Sequence, residues 1–117
     1  MAKNYEFAVL LDFYGDLLTE KRRDFVSLYY NEDLSLAEIA ENEGLSRQGV
    51  RDTIKRAEEQ LLEWEERLHL ARMFRTLSEK SHRLSELAAR LSAVGGEEQQ
   101  RIAAELQSIA QELQELG

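Results

Sequence analysis

Side chains that can form directed hydrogen bonds to bases and phosphates are concentrated in one short stretch, residues 46–56. Four positive residues stand there against a single negative one, Asp52, which gives the stretch a local charge of +3. Arginine and glutamine recognise base edges through paired hydrogen bonds, whereas phosphates accept hydrogen bonds from basic and hydroxyl groups. The candidate base contacts are Arg47, Gln48 and Arg51, and the candidate phosphate contacts are Ser46, Lys55, Arg56, Lys21 and Arg22.

A charged row of this kind also occurs on the solvent-exposed face of an ordinary helix. The candidate residues of this stretch lie opposite Val50 and Ile54, which would face the core of the protein. Spacing alone therefore leaves two interpretations open, a recognition surface and a solvated face. The elements around the stretch favour recognition of some partner.

These elements form a pattern of two short helices joined by a tight turn. Ser35 and Glu38 have the spacing of a capping box, which predicts that the first helix begins there. Gly44 stands where a residue with positive φ would end that helix, and Ser46 can cap the second helix. The pattern is that of a helix-turn-helix motif, whose second helix is presented to a partner, most often the major groove of DNA.

Apolar residues continue the second helix beyond this motif. They alternate in steps of four and three, as the seam of a coiled coil does, through Val50, Ile54, Ala57, Leu61, Trp64, Leu68 and Ala71. A small head cannot cover so long a seam, which needs another helix from the same chain or from a second subunit. Because the apolar seam from Leu61 to Leu91 exceeds what the head can cover, we expect a homodimer. We expect a break near Thr76, Ser78 and Ser81, and another at Gly95–Gly96, before a last helix that runs antiparallel.

The composition is that of an all-α protein. The chain has 117 residues, contains no proline and no cysteine, and is dominated by good helix formers. Its length allows one small domain and an extension. We predict a helix-turn-helix head in residues 1–62, and a helical, coiled-coil-like extension in residues 63–117.

The net charge of the chain is −8, which argues against a general nucleic-acid binder, because phosphate neutralisation supplies most non-specific affinity. A second basic stretch, from Arg67 to Arg83, has a local charge of +4. The acidic remainder would repel nucleic acid outside these two stretches. No stretch is apolar and long enough to predict a signal peptide or a membrane span. The lack of cysteine fits a reducing compartment, so we expect a cytoplasmic protein.

Residues typical of catalysis do not form a site in this sequence. His69 and His82 are thirteen positions apart and lack a nearby acidic partner at metal-ligand spacing. Asp12 and Asp16 could form a pair of carboxylates, but a solvated helix face explains them more simply. No glycine-rich phosphate loop or nucleophile motif is present. We therefore expect no enzyme activity, no cofactor and no metal.

Residues 7–70 resemble a known family. The segments DFYG and LYYNEDLSLAEIAENEGLSRQGVRDTIKR resemble the YlxM family, small bacterial proteins usually encoded beside the GTPases of the signal recognition particle. The same residues look like region 4 of bacterial sigma factors. The resemblance implies a sigma-region-4-like fold. It also implies a cytoplasmic protein that binds DNA or regulates another process, such as the signal recognition particle pathway. It also implies that Arg47, Gln48, Arg51 and Lys55 lie on the recognition helix.

Two further functions remain open beside DNA binding. The motif could dock a protein of the signal recognition particle, which would make the chain a non-catalytic adaptor; the acidic net charge and the long apolar seam favour this alternative. The basic helix could instead bind the RNA of the particle, where an irregular groove admits a helix. DNA, this RNA and a protein of the particle are therefore the expected partners.

Overall fold

The computed structural model describes residues 3–116, which form six α-helices and no strand. The helices are α1 (Glu6–Tyr14), α2 (Glu20–Tyr30), α3 (Leu36–Glu43), α4 (Arg47–Leu68), α5 (Leu70–Val94) and α6 (Glu97–Gln114). A short 3-10 turn, Gly15–Leu17, follows α1. The predicted all-α fold is confirmed. The helices group into two compact units, one ending at Ala71 and the other beginning at Arg72.

Helix α4, like α2, takes part in both apolar clusters of the first unit. Val50 and Ile54 lie in one cluster with residues of α2 and α3, and Ala57 and Leu61 lie in the other with residues of α1 and α2. These four residues are spaced as a heptad seam and are all buried. Packing of the seam on α1, α2 and α3 turns the opposite face of α4 towards solvent.

The predicted capping signals surround the turn between α3 and α4. The Ser35 hydroxyl accepts a hydrogen bond of 3.1 Å from the Glu38 N–H, and the Glu38 carboxylate accepts one of 3.2 Å from the Ser35 N–H. Gly44 ends α3 with φ +67°, a value that glycine adopts without strain. The Ser46 hydroxyl accepts a 3.0 Å hydrogen bond from the Gly49 N–H and so caps α4. The helix-turn-helix expected from the sequence is present.

Replacing Ser35 with alanine is expected to lower the free energy of unfolding by about 1 kcal/mol, because an N-terminal amide of α3 loses its acceptor. Urea denaturation followed by circular dichroism measures the change. Ser108→Ala is the matched control, since Ser108 is exposed within α6 and does not cap a helix. Equal stabilities of the two variants would show that the capping box contributes nothing.

The residues before α1 are joined to the turn between α2 and α3. The Lys3 ammonium donates hydrogen bonds of 2.7 Å to the Tyr29 carbonyl and 2.8 Å to the Leu34 carbonyl. Lys3 and the Tyr5 hydroxyl also reach the Asp33 carboxylate, at 3.2 and 2.6 Å. Asp33 has a φ of +55°, which aspartate tolerates better than most residues. This contact fixes the turn that precedes the helix-turn-helix.

The Asp33 contact should make stability depend on pH on the acid side. The hydrogen bonds from Tyr5 and Lys3 hold the pKa of Asp33 below its ordinary value. A carboxylate whose pKa is lowered by folding stabilises the protein above its unfolded pKa, near 3.9, and this stabilisation is lost as the pH falls through the lower folded value. The difference in unfolding free energy between wild type and Asp33→Asn should therefore be constant from neutral pH to about pH 5 and shrink below about pH 4. A difference independent of pH would contradict the assignment.

The expected break near Thr76 to Ser81 is wrong, because α4 ends earlier, at Leu68. His69 interrupts the helix with a φ of +56°. The Tyr14 hydroxyl donates a 2.7 Å hydrogen bond to Glu65 and accepts one of 3.1 Å from the Leu70 N–H. The Glu65 carboxylate also accepts a 3.0 Å hydrogen bond from the Ala71 N–H. These two side chains cap the first turn of α5, which explains why the chain can leave the helix at a non-glycine residue.

The second unit is formed by α5, the loop Gly95–Gly96 and α6. The predicted break at the two glycines is confirmed. A Cβ atom at Gly95 would lie 2.2 Å from the Cβ atom of Gln99, so only glycine fits this turn. The Gln99 side chain accepts a 3.1 Å hydrogen bond from the Gly96 N–H and thereby caps α6.

Candidate nucleic-acid interface

The first turns of α4 present most of the predicted contact residues to solvent. Arg47, Gln48, Arg51, Lys55 and Arg56 are all exposed. Ser46 is exposed as well, but its hydroxyl is already the acceptor that caps α4. The capped α4 therefore supplies a rigid support from which these side chains project.

Arg47, Arg51 and Lys55 form one row along a flank of α4, because they are spaced four residues apart. Arg51 and Lys55 line a groove of about 550 Å³ beside the helix. The other wall of the groove includes Leu36, at the start of α3, and Asn4. Two cations of the row therefore lie at the groove, and Arg47 continues the row beyond it, towards the start of α4.

The groove also contains groups that restrict what it can bind. Lys3 lines it, but the hydrogen bonds of its ammonium to two backbone carbonyls commit that charge to the fold. The Tyr30 hydroxyl donates a hydrogen bond to the Glu58 carboxylate at the far end of the groove. Burial, and then this hydrogen bond, raise the pKa of Tyr30 above its ordinary value. The negative charge of Glu58 therefore ends the row of basic residues on this flank of α4.

The outward face of α4 carries a polar pair. Gln48 donates a hydrogen bond of 2.9 Å to Asp52, one turn further along the helix. The pair holds the amide of Gln48 in one orientation, as a residue that reads a base edge requires. Asp52 would repel a phosphate but can accept a hydrogen bond from a base amino group.

Three predicted phosphate contacts lie on or near the opposite flank of α4, where α2 begins. Arg22 is half-buried and donates a 2.6 Å hydrogen bond to Gln60 of α4, so its guanidinium joins the two helices. Lys21 packs over the Phe25 ring at 5.8 Å and lines a shallow groove that also contains the acidic residues Glu20, Asp24 and Glu43. Arg56 is exposed. The structure therefore brings Arg47, Arg51 and Lys55 together and sets Lys21, Arg22 and Arg56 apart from them.

Sequence reasoning did not identify the groove or its lining residues Lys3 and Glu58. Lys3 is separated from Arg51 by almost half of the chain, and no local pattern indicates that the two residues line one surface. Glu58 follows the motif at a helical spacing from Arg51 and Lys55, so the helical period could have placed it on the same flank.

Residues 3–116 contain neither a cluster of metal ligands nor a membrane-spanning helix. No group of three histidine, cysteine, aspartate or glutamate side chains in this part of the chain could hold a metal ion. None of the helices there is long and apolar enough to cross a membrane.

Known proteins are similar to much of this chain. A family model described as "UPF0122: Putative helix-turn-helix protein, YlxM / p13 like" matches residues 1–111. A UPF0122 protein of Desulforamulus reducens is 50% identical over 74 residues, which are 63% of this chain and 63% of that protein. A UPF0122 protein of Clostridium kluyveri is 53% identical over 70 residues, 60% of this chain and 63% of that protein.

A third similar protein extends the match. A UPF0122 protein of Limosilactobacillus reuteri is 46% identical over 82 residues, which are 70% of this chain and 73% of that protein. The chain spans about 63% of the length of the first two relatives. The resemblance to the YlxM family inferred from the sequence is confirmed.

Proposed function

The chain belongs to the UPF0122 family of helix-turn-helix proteins, and on that premise we propose that it is a DNA-binding regulator without catalytic activity. One observation carries the proposal: the capped helix α4 presents Arg47, Arg51 and Lys55 in a single exposed row. A helix-turn-helix of this kind inserts its second helix into the major groove, which is wide enough for an α-helix.

The positions of the side chains along α4 support different contacts for different residues, some to base edges and one to a phosphate. Arg47, Gln48 and Arg51 lie in the first turns of α4, the part of a recognition helix that contacts base edges. Lys55 lies one turn further on and would contact a phosphate beside the groove. The excess of acidic residues elsewhere in the chain would restrict binding to this helix. Raised salt would weaken the binding, because it weakens the phosphate contacts of the basic residues.

A protein or RNA partner is the second candidate, and the charge of the chain favours it. The net charge is −8, and Asp52 and Glu58 interrupt the basic surface of α4. Such a mixed surface fits an adaptor that docks a protein of the signal recognition particle, or a modulator that binds the RNA of the particle. The resemblance of the sequence to proteins encoded beside the GTPases of this particle motivates both ideas. In each case we propose a cytoplasmic homodimer.

Fluorescence anisotropy of labelled ligands tests these functions side by side. Random duplex DNA and signal recognition particle RNA are compared at about 50 and 200 mM salt, the range over which phosphate contacts weaken binding steeply. Salt-sensitive binding to DNA supports the proposed regulator, and binding to RNA alone supports the RNA-binding modulator. Absence of binding to both nucleic acids, with a saturable complex with a protein of the particle, would support the adaptor.

A further inference from the structure

The fully buried residues among those described in the second unit are all small. Ser81 and Ala88 of α5, and Ala103 and Ala110 of α6, are each at most 1% exposed. Ala88 is seven residues before Gly95 and Ala103 is seven after Gly96, while Ser81 and Ala110 are each fourteen away. Equal distances from the loop place these residues at the same levels of an antiparallel hairpin, so they form its contact line.

Large apolar residues stand directly before the small ones and are exposed. Leu87 precedes Ala88, Ile102 precedes Ala103 and Ile109 precedes Ala110. The side chains of Leu87, Ile102 and Ile109 are 43%, 45% and 49% exposed, and that of Val94, one heptad after Leu87, is 84% exposed. Half-buried Leu91 and Leu106 lie between these residues and the seam. We refer to these six residues as the hairpin face.

All six residues belong to one side of the hairpin. A step of one residue turns by about 100° around a helix, so each exposed residue is displaced from the seam by the same angle and in the same sense. Two antiparallel helices are related by a two-fold axis perpendicular to the plane that contains them, and this axis keeps equal displacements on the same side. The hairpin face is therefore a continuous apolar surface contributed by both helices, and it is larger than isolated surface apolar residues would produce.

Charges of opposite sign border this face along its two edges. On α5, Arg83 and Arg90 each stand two residues after a buried small residue. On α6, Glu105 and Glu112 stand in the equivalent places. One edge of the hairpin face is therefore basic and the other acidic, which is the arrangement expected of a surface that recognises a copy of itself.

We propose that the hairpin face binds the same face of a second copy, forming a four-helix bundle in which α5 of each subunit lies against α6 of the other. The two-fold axis then runs parallel to the helices, and neighbouring helices are antiparallel. The other two-fold arrangement would set α5 against α5 and place like charges edge to edge. The proposal goes beyond nucleic-acid binding and specifies which surface joins the two copies.

The spacing of the edge charges fits this arrangement in detail. Arg83 is twelve residues before Gly95, between the levels of Glu105 and Glu112, which are nine and sixteen residues after Gly96. The offsets of three and four residues amount to about 5 to 6 Å along the helix at about 1.5 Å per residue, within reach of arginine and glutamate side chains. Arg90 of one copy can therefore pair with glutamates of the other. Arg83 contacts Glu86 of its own helix at 3.4 Å, so in the dimer its guanidinium would be shared between this exposed partner and the glutamates of the second copy.

Lys80 takes the place of an apolar residue at the end of the hairpin face, and the proposed dimer offers it a partner of opposite charge. Lys80 lies one heptad before Leu87 and fifteen residues before Gly95. In the proposed bundle this level is that of Glu112 on the second copy, sixteen residues after Gly96. The lysine stem can cover apolar surface while its ammonium reaches this carboxylate at the edge.

The area of the hairpin face gives the dimer affinity that we expect. The eighteen residues of α6 make a face about 27 Å long at about 1.5 Å per residue, and two packed helices are roughly 20 Å wide. About 500 Å² of each copy, and so about 1,000 Å² in total, would be buried, near the lower limit for a specific interface. A dimer with a micromolar dissociation constant is expected.

Sedimentation equilibrium of the full chain tests the apolar part of the proposal. Ile109→Glu should raise the dimer dissociation constant at least roughly 100-fold, because each dimer would bury two carboxylates. Ser108→Glu is the matched control, since it adds the same charge at the neighbouring exposed position on the other side of α6, and it should leave the constant unchanged. A wild-type monomer at about 100 µM, well above the expected constant, or equal effects of the two variants, would overturn the proposal.

Charge reversals test the orientation. In the Glu105→Lys/Glu112→Lys variant both edges are basic, so the dissociation constant should rise roughly tenfold or more. Arg83→Glu/Arg90→Glu should have the same effect with both edges acidic. If α5 lay against α5, neither change would alter the balance of like charges, so unchanged constants would overturn the proposed orientation.

Mixing the two reversed variants completes the test. Their edges are complementary, so a mixed dimer should form with at least the wild-type affinity although each variant alone is weakened. Failure of the mixture to dimerise, when circular dichroism shows both variants to be as helical as wild type, would contradict pairing through these edges. These readouts do not involve nucleic acid, so they stay interpretable whichever ligand the helix-turn-helix binds.

Discussion

Exchanging Arg47 and Arg51 for glutamate is expected to weaken nucleic-acid binding at least roughly 100-fold, because each arginine contact contributes about 1 to 3 kcal/mol and each glutamate adds repulsion. Both side chains are exposed and neither takes part in the apolar clusters that hold α4. The free energy of unfolding should therefore change by less than about 0.5 kcal/mol. Anisotropy titrations and urea denaturation of the double variant measure the two quantities separately.

The salt dependence of binding distinguishes specific loss from a general charge effect. The slope of log affinity against log salt should change little in the double variant, because the two arginines are proposed to contact base edges, whereas Lys55→Ala should lower it by about one. Arg67→Glu/Arg101→Glu is the matched control, since it makes the same change of net charge at exposed positions away from the first turns of α4. An affinity unchanged in the Arg47 and Arg51 variant, or lost equally in both, would refute the recognition role of α4.

Replacing Tyr14 with phenylalanine is expected to lower the free energy of unfolding by about 2 kcal/mol, because a buried hydrogen-bonding group loses its partner. The Tyr14 side chain is 1% exposed, and its hydroxyl is the acceptor for the Leu70 N–H and the donor to Glu65. Without it, the first amide of α5 is left unpaired, and Glu65 loses one of its donors. Urea denaturation followed by circular dichroism gives the difference.

Tyr5→Phe is the control that shows how much of the destabilisation depends on the burial of the tyrosine hydroxyl. Tyr5 also donates a hydrogen bond to a carboxylate, that of Asp33, but its side chain is 50% exposed. Water can replace the lost group there, so a much smaller destabilisation is expected than at Tyr14. Equal losses in the two variants would mean that the Tyr14 contact does not cap α5.

The parts of the fold that follow from local chemistry are those that the sequence predicted. The Ser35 and Glu38 capping box, the left-handed Gly44 and the Gly95–Gly96 loop each depend on residues a few positions apart. The buried seam of α4 follows from helical periodicity in the same way. These features can be predicted from the sequence because the interactions that cause them join residues within a few helical turns of one another.

The end of α4 could not be predicted, because its cause is distant in sequence. A histidine in the left-handed region costs free energy, and nothing near His69 in sequence signals the turn. Tyr14, 51 residues before Glu65, supplies part of the compensation, by capping α5. The continuous apolar pattern through Trp64 and Leu68 instead suggested one unbroken helix.

The candidate site was only partly accessible to sequence reasoning for a similar reason. The row Arg47, Arg51 and Lys55 follows from spacing along one helix. The environment of each cation depends on tertiary contacts, such as the hydrogen bond of Arg22 to Gln60 across two helices. The assignment of Lys21 and Arg22 to phosphate contacts stays a prediction that only binding measurements of variants can test.

In the proposed dimer, the small residues buried in α5 and α6 would make the folding of the second unit depend on how much protein a cell contains. An alanine removes far less apolar surface from water than a leucine, so a seam of Ser81, Ala88, Ala103 and Ala110 provides little stability for an isolated hairpin. In the proposed dimer, pairing supplies the missing burial, and mass action then couples folding to concentration. Below the dissociation constant, doubling the expression of the gene would more than double the amount of assembled protein. The response to gene dosage would therefore be steeper than that of a monomer.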